Sequence, residues 1–302
     1  MMTIPLPSLR AAFGDRLQEN VSLAAYTSAR IGGNADAFII AHSADELAEI
    51  VSQLWEMNIP YLLLGSGSNL LISDAGFHGV AVLNKAKEIR FNEGENPSVN
   101  AESGVTMSRL ANQSATRAFA GLEWAATVPG TVGGAVYGNA GAFGGDMAGA
   151  LLHVKLLTKA GRETWTVEDM RYVYRSSTLK GVAIKAIILS AEMKLKKGEQ
   201  AQIQERMRSF IQKRKDTQPP GASMGSMFKN PEGDYAGRLI EEAGLKGTRI
   251  GNVEISDIHA NFFINHGETK ASDVIALVQL AQESVKEKFG VSLELEIEVV
   301  GE

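Results

Sequence analysis

Two hydrophobic periodicities alternate along the chain and sort it into elements. Residues 36–41 (DAFIIA) form an apolar run that reads as extended backbone. Ser43 with Glu46 three residues on has the spacing of a capping box and predicts a helix through Met57. Pro60 cannot continue that helix, and 61–65 (YLLLG) reads as a buried strand. Short strands between glycine turns follow at 79–84, 88–92, 99–103, 151–157 and 182–195, with one helix at 107–120 among them. The charged stretch 199–215 is predicted helical, and TQPPG at 217–221 has the composition of a domain junction. Helices at 235–243 and 272–289 come next, then a strand at 291–300. That strand alternates strictly: Leu293, Leu295, Ile297 and Val299 share one face, and Glu294, Glu296 and Glu298 the other. Periodicity alone makes the glutamate side a solvated acidic face. The pattern is α+β in two or three lobes.

Composition narrows the setting. A length of 302 residues suits two or three domains, and 44% hydrophobic with 22% charged residues is ordinary for a globular protein. The net charge of −5 lacks the basic surface expected of a nucleic-acid binder. The opening MMTIPLPSLR does not have the build of a secretory signal, and no apolar run approaches the roughly 20 residues that span a bilayer. Zero cysteines exclude disulfides, iron–sulfur clusters and thiolate zinc sites. The expectation is a cytoplasmic enzyme, monomeric, without a metal site, nucleic-acid partner or membrane insertion.

The chemistry concentrates in a few segments. Nine of the 31 glycines fall between Gly121 and Gly149, in GLEWAATVPGTVGGAVYGNAGAFGGDMAG. Such a run suits backbone that must approach a large flat anionic ligand, such as a nucleotide cofactor, although a cluster of structural turns gives the same pattern. A second glycine-rich stretch, Gly65-Ser66-Gly67-Ser68-Asn69, directly follows a strand. It can curl into a nest of N–H groups for a pyrophosphate, or be a plain tight turn. It is neither a Rossmann fingerprint, since Leu70 stands where the third glycine belongs, nor a P-loop. Gly225-Ser226-Met227-Phe228-Lys229-Asn230-Pro231 combines a hydroxyl with two groups able to grip phosphate or carboxylate; a helix-capping loop is the competing reading. Tyr174-Arg175-Ser176-Ser177 offers a guanidinium suited to a carboxylate, or merely a surface arginine.

Taken in order, these segments resemble the UDP-N-acetylenolpyruvoylglucosamine reductase family. The resemblance runs from Thr27-Ser28-Ala29-Arg30-Ile31-Gly32-Gly33 to Gly301 and includes LLLGSGSNLLISDAGFHGVAV, EDMRYVYRSS, GSMFKNP and LELEIEVVG. It matches the shorter of the family's two types, without an insertion in the substrate domain. It implies an FAD-binding domain of the vanillyl-alcohol-oxidase type in two lobes, at 1–62 and 63–197, followed by an α+β substrate-binding domain at 198–302. FAD would be held noncovalently, with Gly65, Ser66, Gly67, Ser68 and Asn69 at the pyrophosphate. Pro129, Gly130, Thr131, Gly133, Gly134, Asn139 and Gly141 would lie along the isoalloxazine and ribityl chain. NADPH would be the co-substrate and UDP-N-acetylglucosamine enolpyruvate the substrate, in peptidoglycan precursor synthesis. The resemblance assigns Arg175 to the substrate carboxylate and its enolate, Ser226 to proton delivery, and Glu296, five residues before Gly301, to the carboxylate end. Tyr174, Lys229 and Asn230 would assist substrate binding.

The chain departs from the family pattern at Phe143, where tyrosine is frequent, and at Glu298, where a cation is frequent. Thr127 and Gly138 also replace commoner residues. Two rival readings accompany the resemblance. One is another noncovalent FAD oxidoreductase of the same fold, acting on a sugar or hydroxy acid. The other is a nucleotide-sugar or flavin-binding protein without turnover.

Overall fold

The computed structural model describes residues 4–180 and 185–301. The chain separates into two compact units: Met1–Ile39, Pro60–Ala81 and Lys215–Glu302 form one, Ile40–Ile59 and Val82–Arg214 the other. Each has its own hydrophobic core and mixes helices with strands, as the α+β pattern predicts.

The second unit is organised on an antiparallel sheet. Its strands lie in the order Gly161–Thr166, Leu151–Thr158, Ile187–Lys194, Ser98–Glu102, Ile89–Asn92. The segment expected as a strand at 182–195 is one over Ile187–Lys194; residues 182–184 lie outside the described residues. The Ser43 cap forms as the spacing predicts, while the Glu46 carboxylate is bonded one residue before the cap. Ser43 Oγ accepts from Glu46 N at 3.1 Å, and the Glu46 carboxylate accepts from His42 N at 2.8 Å, opening the helix Ala44–Glu56. Leu47, Ile50, Val51 and Leu54 recur every three or four residues and are wholly buried, which is what holds so amphipathic a helix in place.

The helix expected at 107–120 is shorter, Met107–Thr116. Ala118 takes φ = 57°, and Phe119–Ala120 leaves to pair with Lys196–Lys197. A helix the sequence pattern did not suggest, Val132–Gly138, lies inside the glycine-rich stretch.

The strands Gln18–Ser22, Asn34–Ala41, Phe77–Asn84 and Tyr61–Leu64 form one sheet in that order, most of its residues belonging to the first unit. The strands Arg249–Ile250, Val253–Ile255 and Phe263–Asn265 make a smaller one. Helix Ala271–Phe289 buries Val274, Leu277, Val278, Ala281 and Val285 in a core shared with Leu71, Met227, Phe228, Phe263 and Ile297. Its N-terminus is closed by Asp74, whose carboxylate accepts from Ala271 N at 2.7 Å and Ser272 N at 3.0 Å.

The terminal segment departs from its expected form. Only Glu298–Val300 is strand, parallel to Leu70–Ile72. Leu295 makes an isolated bridge to Phe228, and the chain bends at Glu296 and Ile297. The bend resets the alternation: Leu293 and Ile297 are 4% exposed, but Val299 is 45% exposed. Glu296 and Glu298 are half-buried and only Glu294 is fully exposed, so the uniform acidic face does not form.

Candidate active site

The predicted site residues divide between the two units, and each set has a geometry of its own. In the first unit the loop 65–69 follows the strand Tyr61–Leu64. Gly67 sits at φ = 58°, and a Cβ there would strike the Tyr26 carbonyl and come within 2.7 Å of Thr27 Cα. Only glycine fits, because the loop packs directly on the Thr27–Gly33 motif. Ser28 N donates to Gly67 O at 3.1 Å and Ser28 Oγ to the same oxygen at 3.3 Å. Thr27, itself buried, ties back that motif by accepting from Ile31 N and donating to Ile31 O. The N–H groups of Ser66, Gly67 and Ser68 meet no acceptor among the described residues. A fixed loop whose N–H groups are not engaged by the described residues suits an anion.

Asn69 closes the loop against the terminal segment. Its Nδ2 donates to Glu296 O at 3.1 Å, and its own carbonyl accepts from Glu298 N at 2.9 Å. Glu296 N in turn donates to Met227 O at 2.9 Å, and Lys229 N donates to Glu294 O at 2.8 Å. Ser226 and Glu296 are thereby brought onto neighbouring, hydrogen-bonded segments, with the 65–69 loop attached to the same assembly. The Lys229 ammonium pairs with the Glu294 carboxylate. Asn230 Oδ1 accepts from Ala236 N at 3.1 Å, so its carbonyl serves the short helix Ala236–Glu242.

In the second unit the glycine-rich stretch is ordered by its polar ends. Thr131 caps the helix Val132–Gly138, and Gly133 N donates to Ser103 O at 2.8 Å. A Cβ on Gly133 would come 3.0 Å from Ser103 Cβ, which explains a glycine where helix propensity argues against one. Asn139 ends the helix in the left-handed conformation, φ = 47°. Its buried side chain donates to Val173 O at 3.0 Å and accepts from Ala148 N at 3.0 Å, joining this stretch to the one carrying Tyr174 and Arg175.

Two further bonds, Tyr172 OH to Val136 O at 2.9 Å and Ser177 Oγ to Tyr137 O at 2.6 Å, reinforce the junction. Burial, helped by Asp146, pushes the Tyr172 phenol well above its ordinary range, so it stays a neutral donor. Arg175 is held at φ = 56°, a conformation that costs a non-glycine residue on the order of 1–2 kcal/mol. Its guanidinium reaches Gly141 O at 3.4 Å and lies 5.1 Å from the Tyr174 ring centre. Tyr174 is 52% exposed. Phe143, the departure from the family tyrosine, stacks on Phe210 with ring centres 4.7 Å apart. Pro129 and Gly134 are exposed, and Gly130 and Gly141 half-buried.

Sequence reasoning gave no role to Tyr172 and Ser177, although both lie in the motif EDMRYVYRSS, nor to Asn261 of the first unit, whose amide donates to Phe228 O. Each makes a side-chain bond to backbone remote in sequence, for which composition and spacing carry no signal. No group of acidic, histidine or cysteine side chains suited to a metal occurs among the described residues. No helix among them is long and apolar enough to cross a membrane.

Residues 216–300 match the model of the UDP-N-acetylenolpyruvoylglucosamine reductase C-terminal domain, and residues 35–166 match an FAD-binding domain. The UDP-N-acetylenolpyruvoylglucosamine reductase of Chloroflexus aurantiacus is 41% identical over 92% of this chain and 95% of its own. That of Rubrobacter xylanophilus is also 41% identical, over 92% of this chain and 93% of its own. The crystal structure of UDP-N-acetylenolpyruvylglucosamine reductase from Thermus caldophilus superposes with a TM-score of 0.79 at 34% identity, covering 94% of this chain and all of that one. The chain belongs to the UDP-N-acetylenolpyruvoylglucosamine reductase family.

Proposed function

We propose that this chain reduces UDP-N-acetylglucosamine enolpyruvate to UDP-N-acetylmuramate at the expense of NADPH, through noncovalently bound FAD, as a cytoplasmic monomer in peptidoglycan precursor synthesis. The FAD-binding region comprises two lobes, 1–62 and 63–197, and the substrate-binding region is 198–302. Family membership supports the reaction. The observation that carries the reading within the chain is the joining of Ser226, Glu296 and the 65–69 loop by the Met227–Glu296 and Asn69–Glu296 hydrogen bonds.

The residues fit FAD. Three N–H groups that meet no acceptor among the described residues, on a loop that tolerates no Cβ at Gly67, suit a pyrophosphate, which carries charge but needs close backbone approach. Gly65, Ser66, Ser68 and Asn69 complete that cradle. The segment holding Pro129, Gly130, Thr131, Gly133, Gly134, Asn139 and Gly141 suits the flat ring and its ribityl chain. Bound FAD supplies hydride transfer from NADPH to the terminal enolpyruvyl carbon.

The chain's own residues handle charge and the proton. Arg175 holds the substrate carboxylate and stabilises the negative charge that spreads onto it as the enolate forms. Ser226 delivers a proton from its Oγ to the carbon beside the carboxylate. Serine is a weak acid, but an enolate is a strong base, so the transfer is matched. Glu296 stands at the carboxylate end of the substrate. Tyr174, Lys229 and Asn230 contribute to substrate binding, Lys229 by exchanging Glu294 for a substrate anion.

The reading is tested by incubating FAD-loaded protein with NADPH and UDP-N-acetylglucosamine enolpyruvate and following the enolpyruvyl group by proton NMR. Loss of the vinylic signals with growth of a lactyl methyl doublet, one per NADPH oxidised, is expected. NADPH oxidation that leaves the vinylic signals intact would refute it.

A further inference from the structure

Ser226 lies in a segment that belongs to no sheet. Within 222–230, Ala222, Ser226 and Phe228 pair only as isolated bridges, to Asn265, Phe262 and Leu295. Backbone so placed must still satisfy its polar groups, since the adjoining Met227 and Phe228 are 0% and 1% exposed. On one side it does so through Glu294 and Glu296. On the other side a single residue, Asn261, supplies the partners. Its backbone carbonyl accepts from Met227 N at 2.8 Å. Its side-chain Oδ1 accepts from Phe228 N at 2.9 Å, and its Nδ2 donates to Phe228 O at 2.8 Å.

The amide thus imitates the edge of a strand, taking both polar groups of Phe228 at once. Asn261 is 3% exposed, so these bonds are not exchanged for water, and losing them leaves buried groups unsatisfied. Asn261 is itself fixed, because its N–H donates to His259 Nδ1 at 3.2 Å. The His259 ring is in turn wedged 3.0 Å from the place a Cβ on Gly237 would occupy. A chain of contacts therefore runs from Gly237 through His259 and Asn261 to Phe228 and on to Ser226.

We propose that Asn261 is the positioning residue for proton delivery: its side-chain amide clamps Phe228 and so fixes the Ser226 hydroxyl. The proposal rests on the proton-donor role given to Ser226 above. It assigns Asn261 no contact with substrate or cofactor. Proton transfer demands a donor placed to a fraction of an ångström, and the clamp supplies that precision where no sheet does.

Two variants of the FAD-loaded protein test it, Asn261→Ala, which removes the clamp, and the near-isosteric Asn261→Asp, which keeps the acceptor for Phe228 N and loses the donor. Amide hydrogen exchange is read across 226–229 in the resting enzyme, and the two half-reactions are timed separately under anaerobic conditions. Exchange at Phe228 is expected to accelerate in both variants, more in Asn261→Ala. Flavin reduction by NADPH is expected to stay within about twofold, while reoxidation by the enolpyruvyl substrate slows about 10- to 100-fold, with an enlarged solvent isotope effect. Unchanged reoxidation in a variant with accelerated Phe228 exchange overturns the proposal. So does an equal fall in both half-reactions together with loss of bound FAD in both variants, which marks a purely structural residue. Ser226→Ala, run alongside, separates the two claims. If it leaves reoxidation intact, the proton-donor role itself fails; if it slows reoxidation while both Asn261 variants do not, only the clamp fails.

Discussion

Asn69 and Glu296 are bound to each other through side chain and backbone: Asn69 Nδ2 donates to Glu296 O at 3.1 Å, and two residues later Glu298 N donates to Asn69 O at 2.9 Å. One asparagine thus sets both the end of the anion-cradling loop and the path of the chain at the bend carrying Glu296. Asn69→Ala is expected to weaken FAD binding about fivefold, since a net hydrogen bond is worth ~1 kcal/mol. Catalysis should fall as well, even at saturating FAD, because the Glu296 carbonyl loses its anchor. Titration of apoprotein with FAD by flavin fluorescence, with kcat measured at saturation, checks both. Weaker FAD binding with an unchanged kcat would show that the bond matters to the loop alone.

Gly67 has no tolerance for a side chain. Its φ of 58° already disfavours other residues, and a Cβ would meet Tyr26 and Thr27 backbone, which cannot swing aside. Gly67→Ala is expected to cost more than ~2 kcal/mol of stability, strain and clash combined, and to abolish FAD loading. Urea unfolding of the apoprotein reads the first effect and the flavin absorbance of the purified protein the second.

Asp74 caps the 271–289 helix with two charge-assisted bonds. Burial works to raise its pKa, but the bonds from Ser272 and Ala271, with nearby Lys270, outweigh it and hold the carboxyl below its ordinary value. A depressed carboxylate contributes stability that is whole above the unfolded-state pKa, about 3.9, and is lost as pH falls through the lower folded value. Asp74→Asn should therefore destabilise by about 0.5–1 kcal/mol at neutral pH and show a shallower decline below pH ~4. Thermal melts of both proteins between neutral and acid pH measure the two slopes; parallel slopes would remove Asp74 from the account.

His259 also loses stability on acidification, in a higher pH window. Burial chiefly, and Lys246 in addition, push its pKa below the ordinary 6.5, while its own backbone and Glu241 oppose. The unfolded chain then binds a proton before the native one, so stability falls as pH drops below about 6.5 and levels once the native ring also protonates. Protonated Nδ1 also cannot accept from Asn261 N. His259→Gln is expected to flatten stability over that window. Urea midpoints at several pH values, wild type against variant, decide it.

The family and the α+β class were legible in the motifs of this chain, the details of its scaffold less so. Ser43 and Glu46 announced a helix because capping is local, and the structure forms it at the predicted residue. The segments at 65–69 and 226–230 stood out because glycine, serine, lysine and asparagine lie so close together, although each also had a purely structural reading. The helix Val132–Gly138 was not legible, because glycines carry no helical periodicity; Thr131, Asn139 and contact with Ser103 fold it. The terminal strand was over-read for the converse reason. Its alternation is perfect, but long-range bonds from Asn69 and to Met227 bend it at Glu296. Arg175 could be named from its motif, whereas its left-handed backbone could not, since Asn139 and Ser177 enforce it from a distance in sequence.

The central claim is that Ser226 protonates a substrate reduced through FAD. Anaerobic stopped-flow absorbance of FAD-loaded wild type and Ser226→Ala tests it most directly. NADPH should bleach the oxidised-flavin band in both at the same rate. UDP-N-acetylglucosamine enolpyruvate should then restore the band without oxygen in the wild type, and at least ~100-fold more slowly in Ser226→Ala. Recovery at the wild-type rate in Ser226→Ala, or a bleached wild type that the substrate fails to restore, would contradict the account.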